Sequence, residues 1–249
     1  MGFSSRPYAR SYVGLPGLPR GIKWLLIANI GVFLLQWITG GSDFGNYFNY
    51  YLALIPAEVF RHAAVWQLFT YMFLHGGISH ILWNMLSLWM FGSMLEQAWG
   101  TREFLKLYFF SGIGAGVCIA LLSLIFGGTR AATIGASGAI FGVMLVCAML
   151  WPNQTVLFNF LFPIKLKYMV MIIGAIAFLG AWNPNSGVSN IGHLGGMLFG
   201  YIFVKMPKMR ISGFDPVRPV RDSYKAWKLA RAKKKFQVYL KKQRSDHIN

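Results

Sequence analysis

Residues 131–151 read AATIGASGAIFGVMLVCAMLW. The stretch is apolar and close to the roughly 20 residues a helix needs to cross a bilayer core of about 30 Å. Near its head stands Ser137, between Ala136 and Gly138. A second run opens on Gly192-His193-Leu194-Gly195-Gly196. A hydroxyl and an imidazole, a possible nucleophile and its base, are thus carried by segments that read as membrane spans. Ionisable groups are expensive in hydrocarbon, so their presence there points to function before packing.

Composition sets the same scene. Of 249 residues 55% are hydrophobic and 12% charged, and the net charge is +17. The charges gather at the ends and in short connections, as in a polytopic helical membrane protein. Cys118 and Cys147 lie in apolar stretches with no partner nearby in sequence, which suggests neither a disulfide framework nor a cysteine metal site. The N-terminal stretch carries Arg6, Arg10 and Arg20 among prolines and glycines but no short apolar core, so a removable signal peptide is not expected.

Six apolar segments have spanning length: Ile22 to Ile38, Ile78 to Ala98, Phe104 to Phe126, Ala131 to Trp151, Tyr168 to Trp182 and Ile191 to Val204 with a few flanking residues. The expected fold is all-α, a six-helix membrane bundle. The expected organisation is an N-terminal segment 1–21, a core 22–204 and a basic tail 205–249. All Lys and Arg residues except Arg61 and Arg130 fall on one side of this arrangement, which places both termini in the cytoplasm. The aromatic-rich segment from Thr39 to Phe69 is expected to lie in the outer interface.

With that orientation His75, His80 and Asn84 on span two, Ser137 on span four and His193 on span six all enter from outside. From Ser137 to Trp151 the helix is about 22 Å long at ~1.5 Å per residue. The serine then sits roughly 8 Å below the outer surface of the core. Gly138 and Gly142 on span four, and Gly192, Gly196 and Gly200 on span six, have the spacing that lets helix backbones approach closely. A crossing at Gly138 and Gly196 would bring the Ser137 hydroxyl to the His193 imidazole, the geometry of an activated nucleophile.

No acid stands near that depth as a third member, because Glu96 lies at the opposite end of span two. The expected unit is therefore a Ser-His dyad. His80 and Asn84, four residues apart, share a helix face, and with the Ser137 amide at a helix N-terminus they could bind an oxyanion. His75, five residues before His80, is expected to point elsewhere and to order the loop or bind neighbouring backbone. Taken singly, each feature has a plainer reading as a packing glycine, a helix cap or an interhelical hydrogen bond. Polar groups at one depth on three spans, two of them flanked by packing glycines, are hard to obtain from packing alone.

His75-xxxx-His80-xxx-Asn84, Gly135-Ala136-Ser137-Gly138, and Gly192-His193 followed by Gly196 and Gly200 together resemble the rhomboid intramembrane serine proteases, over roughly Trp66 to Val204. Glu96 with Gly100 resembles an acidic and glycine pair of that family. The resemblance implies Ser137 as nucleophile, His193 as general base, and His80, Asn84 and the Ser137 amide as oxyanion hole. Gly135, Gly138, Gly196, Gly200 and His75 would support them. Phe141 corresponds to the aromatic that packs on the histidine ring.

In one place the pattern differs, since Trp66 is followed by Gln67 where the family often has arginine; this puts the anchoring of the outer loop in question. Gly192 also stands where the family commonly has alanine. The implied reaction is peptide hydrolysis near the outer end of a substrate's transmembrane helix, with no metal and no organic cofactor. Implied partners are single-pass or other transmembrane protein substrates and the bilayer, and the expected location is a multi-pass protein of a bacterial plasma membrane.

Two other functions are compatible with parts of the pattern. A non-catalytic rhomboid-like protein would bind transmembrane clients, against which the retention of both Ser137 and His193 argues. A channel would need polar residues through the membrane, whereas the inner halves of spans two, four and six are almost wholly apolar. The tail reads as a helix from Ser223 to Gln243 with Trp227, Phe236, Tyr239 and Leu240 among basic residues. An anchor on anionic lipid is expected there in preference to nucleic acid.

Overall fold

The structure is a computed structural model that describes residues 18–158, 162–182 and 187–206, together with positions 228 and 231. The expected tail helix and the first seventeen residues otherwise lie outside these. The chain divides into two units after Met206, and the first of them holds all six apolar stretches.

Helix occupies each of the six apolar stretches. The first, α1, runs Arg20–Ile38. Three short helices follow in the aromatic segment, α2 (Asp43–Leu52), α3 (Pro56–His62) and α4 (Gln67–Thr70), the last leading into a 3-10 turn, Tyr71–Phe73. The second stretch is continuous from α5 (Ile78–Ser87) through a π-helical turn at Leu88–Gly92 into α6 (Ser93–Trp99). Next come α7 (Thr101–Phe126) and α8 (Ser137–Leu150), a hairpin of β1 (Thr155–Phe158) and β2 (Phe162–Lys165), then α9 (Leu166–Gly180) and α10 (Gly187–Lys205). Among the described residues two helices, Arg20–Thr39 and Thr101–Phe126, are by themselves long and apolar enough to cross a membrane; α8 and α9 are shorter apolar helices.

The two antiparallel strands, paired from Thr155 with Lys165 to Phe158 with Phe162, are a local addition to an otherwise helical fold. Their short run of alternating residues is hidden inside a connection that reads as a simple loop. The fourth helix also begins later than its hydropathy suggests, at Ser137 and not at Ala131. Thr133 instead exchanges main-chain hydrogen bonds with Leu54 (3.0 and 2.8 Å), and Gly135 has φ +123°, a left-handed conformation that no α-helix continues through.

The core is built around α7, α8 and α10, which pack most extensively on one another. Glycines make this possible. A methyl group on Gly196 would fall on the Gly138 carbonyl oxygen, and one on Gly200 would lie 2.7 Å from the Gly142 oxygen. Backbones that close require small residues at successive turns. Leu88, Phe91 and Leu95 of the second stretch join Phe104 and Tyr108 of α7 in the same buried cluster. By contrast the main contacts of α9 among the described residues are with α8, α10 and the hairpin, and Met171, Ile172, Ile176, Phe178 and Leu179 stand exposed on it.

At the far end of the second stretch Glu96 is 3% exposed. Its two carboxylate oxygens accept the main-chain N–H of Gly21 and of Ile22, each at 2.8 Å, and one of them also accepts the Thr101 hydroxyl. An anion on the unpaired amides of a helix N-terminus satisfies their hydrogen bonds and complements the helix dipole. Glu96 thereby ties the starts of α1 and α7 to the end of α6.

Candidate active site

Ser137 is the first residue of α8, and its Oγ lies 2.8 Å from Nε2 of His193 on α10. The close crossing at Gly138 and Gly196, one residue after the serine and three after the histidine, sets this distance. His193 is held from the other side by Phe141, whose ring stacks on the imidazole with centroids 4.1 Å apart and planes 7° from parallel. For Nε2 to take the serine proton, the ring proton must reside on Nδ1.

The turn that delivers Ser137 is stitched to its surroundings. Gly135 N–H donates to the Tyr71 carbonyl (2.9 Å), and the Tyr71 hydroxyl donates to the Gly112 carbonyl (2.7 Å). Gly135 faces His80 so closely that a Cβ there would lie 2.8 Å from the His80 Nε2. Its left-handed φ and this contact both demand glycine.

His80 and Asn84 lie on α5 and line the same cavity as Ser137 and His193, a hollow of about 330 Å³. Beyond these polar groups and Ser87 its wall is apolar, with Trp83 and Met90 from the second stretch, Met144 from α8, and Met169 and Ile173 from α9. One N–H of the Asn84 side chain donates to the His80 carbonyl at 2.8 Å, which holds the amide at the cavity wall. His80 Nδ1 accepts the Gly76 N–H at 3.2 Å. A main-chain amide can only donate, so in the neutral ring the His80 proton sits on Nε2, the nitrogen that faces Gly135.

His75 does not line the cavity of Ser137 but a different hollow, and its buried ring meets that of His80 edge-on at 5.1 Å. Helical spacing does not apply to it, because α5 begins only at Ile78 and the Gly76-Gly77 turn intervenes. The question raised by glutamine at position 67 is answered by its own contacts, which anchor the outer loop. Gln67 is 2% exposed, its Oε1 accepts the Ile55 N–H (2.9 Å) and its Nε2 donates to the carbonyls of Tyr50 and Tyr51 (3.3 and 3.4 Å). Trp66 adds an Nε1–H bond to the Tyr51 carbonyl and stacks on the Tyr51 ring. These contacts hold α2 against α4, with Phe44, Tyr47, Tyr50 and Tyr51 exposed on the segment.

Sequence reasoning also passes over Gln36 and Asn49. Gln36 Nε2 donates to Asn49 Oδ1 at 2.8 Å, and Gln36 Oε1 accepts the His75 N–H at 3.0 Å. A lone glutamine near the end of an apolar span is a signal that could have found it.

Residues 62–207 match the family model described as the rhomboid domain. The chain is 37% identical over 162 residues to RHOMBOID-like protein 1 of Arabidopsis thaliana, covering 63% of this chain and 39% of that protein. It is 35% identical over 192 residues to the rhomboid protease GluP of Bacillus subtilis (strain 168), covering 74% of this chain and 34% of that one. A third relative, Rhomboid-like protein 14, mitochondrial, of Arabidopsis thaliana is 33% identical over 170 residues, covering 65% of this chain and 49% of that one. The chain thus spans between a third and a half of the length of these relatives. Relatives named for mitochondria and chloroplasts stand beside the bacterial one, so the comparisons do not single out the bacterial plasma membrane expected from the sequence. With the matched domain running from the end of α3 through α10, and so over Ser137 and His193, the chain belongs to the rhomboid family of membrane-embedded proteins.

Proposed function

We propose that the chain is an intramembrane serine endopeptidase that cleaves transmembrane-helix substrates near the outer face of the membrane. The observation that carries the reading is the 2.8 Å contact of Ser137 Oγ with His193 Nε2 inside a cavity that His80 and Asn84 also line. In this reading all six helical stretches cross the bilayer, with both termini cytoplasmic. At 14 residues α8 is only about 21 Å long, so the catalytic serine lies below the outer surface of a core near 30 Å thick and within reach of water from that side.

The serine oxygen attacks the scissile carbonyl while His193 Nε2 takes its proton. Negative charge on the former carbonyl oxygen is met by His80 Nε2–H, an Asn84 amide N–H and the Ser137 main-chain N–H. His193 then returns the proton to the leaving amine, the C–N bond breaks, and water hydrolyses the acyl-enzyme with the same imidazole as base. The apolar wall of the cavity suits an unwound apolar peptide, and the chemistry requires neither metal nor cofactor. The basic tail serves as an anchor on anionic lipid, not on nucleic acid; binding of the isolated tail to neutral and anionic vesicles alike would refute that part.

The test is cleavage of a reconstituted transmembrane substrate by Ser137→Ala, His193→Ala and the double variant. Each single change should abolish turnover with the fold intact, and the double should be no worse, because the dyad acts as a unit. Turnover by Ser137→Ala equal to that of the unaltered chain would overturn the assignment. Failure of the unaltered chain to cleave while still retaining transmembrane clients would favour the non-catalytic reading.

A further inference from the structure

We propose that Gln36 is a positioning residue that acts through the Gly76 amide on His80, so that a relay from α2 sets the orientation and tautomer of the oxyanion donor. The inference rests on the oxyanion role proposed for His80. Its observations are three consecutive hydrogen bonds. Gln36 Nε2 donates to Asn49 Oδ1 (2.8 Å), Gln36 Oε1 accepts the His75 N–H (3.0 Å), and the next amide, Gly76 N–H, donates to His80 Nδ1 (3.2 Å).

Main-chain donors fix the assignment of every atom in this chain. The His75 N–H can only donate, so the Gln36 atom facing it is the carbonyl oxygen, and the amide nitrogen must face Asn49. The Gly76 N–H can only donate, so Nδ1 is unprotonated and Nε2 carries the hydrogen toward Gly135. If the 75–77 turn moved, His80 would be free to rotate or to hold its proton on the wrong nitrogen, and the cavity would lose a donor.

The buried His75 ring packs one end of that turn, but at its two glycines packing contributes little. A Cβ at Gly77 would meet nothing within 4 Å, and one at Gly76 would meet only the tip of Ile134 (3.6 Å) and His80 Nδ1 (3.7 Å). Behind the turn lies a second hollow of about 570 Å³, lined by Gln36, Asn49, His75, Gly76 and Gly77. With open space on that side, the Gln36 carbonyl adds to the burial of the His75 ring a directed contact that orients the His75 amide and hence that of Gly76. Asn49 belongs to α2, the helix held by Gln67, so the position of the outer aromatic segment is coupled to the oxyanion donor.

Gln36→Met keeps the length and removes both polar atoms, whereas Gln36→Glu keeps an acceptor for the His75 N–H and can take a hydrogen bond from a turned Asn49 amide. With a transmembrane substrate in proteoliposomes, Gln36→Met should lower kcat by about tenfold to a hundredfold, the scale of a displaced or lost transition-state contact, and leave KM unchanged. Gln36→Glu should restore most of that loss. In spectra of 15N-histidine-labelled protein, the His80 ring should pass from a single Nε2–H tautomer to a mixture in Gln36→Met.

Unaltered kcat and an unaltered His80 tautomer in Gln36→Met would overturn the proposal, and so would equal losses in Gln36→Met and Gln36→Glu. Should Gln36→Met fail to fold, Asn49→Leu decides, with a smaller fall in kcat expected and unaltered kcat contradicting the relay. His80→Ala separates the two levels. If it cleaves like the unaltered chain, the oxyanion reading fails, whereas if it is slow and Gln36→Met is not, this inference alone fails.

Discussion

Replacing Gly196 by alanine adds one methyl group at the place where α10 crosses α8. That methyl would fall on the Gly138 carbonyl oxygen, well inside any contact real atoms make, so the two helices must part locally by roughly 1 Å or more. Ser137 is next to Gly138, and His193 lies one turn before Gly196, so the parting opens the 2.8 Å contact of the dyad directly. A displacement near 1 Å can cost about 100-fold in rate, and overpacking of this kind costs about 1–3 kcal/mol in stability. Gly200→Ala meets the Gly142 oxygen at 2.7 Å and should cost less in both. Gly31→Ala meets nothing within 4 Å and should leave turnover unchanged and gain up to ~1 kcal/mol from helix propensity. Turnover of a transmembrane substrate by the three variants, each checked for its thermal midpoint, reads the series. Turnover of Gly196→Ala at the level of Gly31→Ala would refute the link from backbone approach to dyad geometry.

His80→Ala and Asn84→Ala should each lower turnover by about 10- to 1000-fold without abolishing it, because other donors remain; total loss of both activity and fold in both variants would mark structural hydrogen bonds instead. Glu96→Gln should lower stability by about 1–3 kcal/mol, since a buried carboxylate accepting two amides and a hydroxyl becomes a neutral amide, while turnover per folded molecule stays unchanged; an unaltered midpoint would contradict the cap. The Tyr50 hydroxyl, then His62, holds the Glu58 carboxyl below its ordinary range. The contact contributes stability above the ordinary carboxylate range and loses it as pH falls through the depressed value. Glu58→Gln should therefore flatten the acid limb of a pH–stability profile of the α2–α3 segment, and an unchanged limb would show that the contact contributes nothing.

How much of this is legible in the chain depends on what kind of physics each part expresses. The helical stretches follow from hydropathy, and the crossing of α8 with α10 from the spacing of Gly138, Gly142, Gly196 and Gly200, because close backbone approach leaves a mark in residue size. Ser137, His193, His80 and Asn84 stand out because each is costly in an apolar segment. Hydropathy misplaces the start of α8 because Ala131 to Ala136 is as apolar as a helix, and its pairing with Leu54 and the φ of Gly135 keep the stretch out of the helix. Periodicity says little about His75 because it does not carry across a glycine turn. Gln67 is hard to read as an anchor, since its partners are main-chain groups and a backbone amide or carbonyl has no letter in the sequence, whereas Gln36 stands out as a lone glutamine in an apolar span without revealing that it bonds Asn49 and the His75 amide.

The central claim is that Ser137 is a nucleophile activated by His193. Treating the protein in lipid with a fluorophosphonate and mapping the adduct by mass spectrometry tests it most directly. The account predicts one phosphonylated serine, Ser137, with labelling lost in His193→Ala and slowed in His80→Ala. An unlabelled protein that is folded, or an adduct on another serine that persists in His193→Ala, would contradict it.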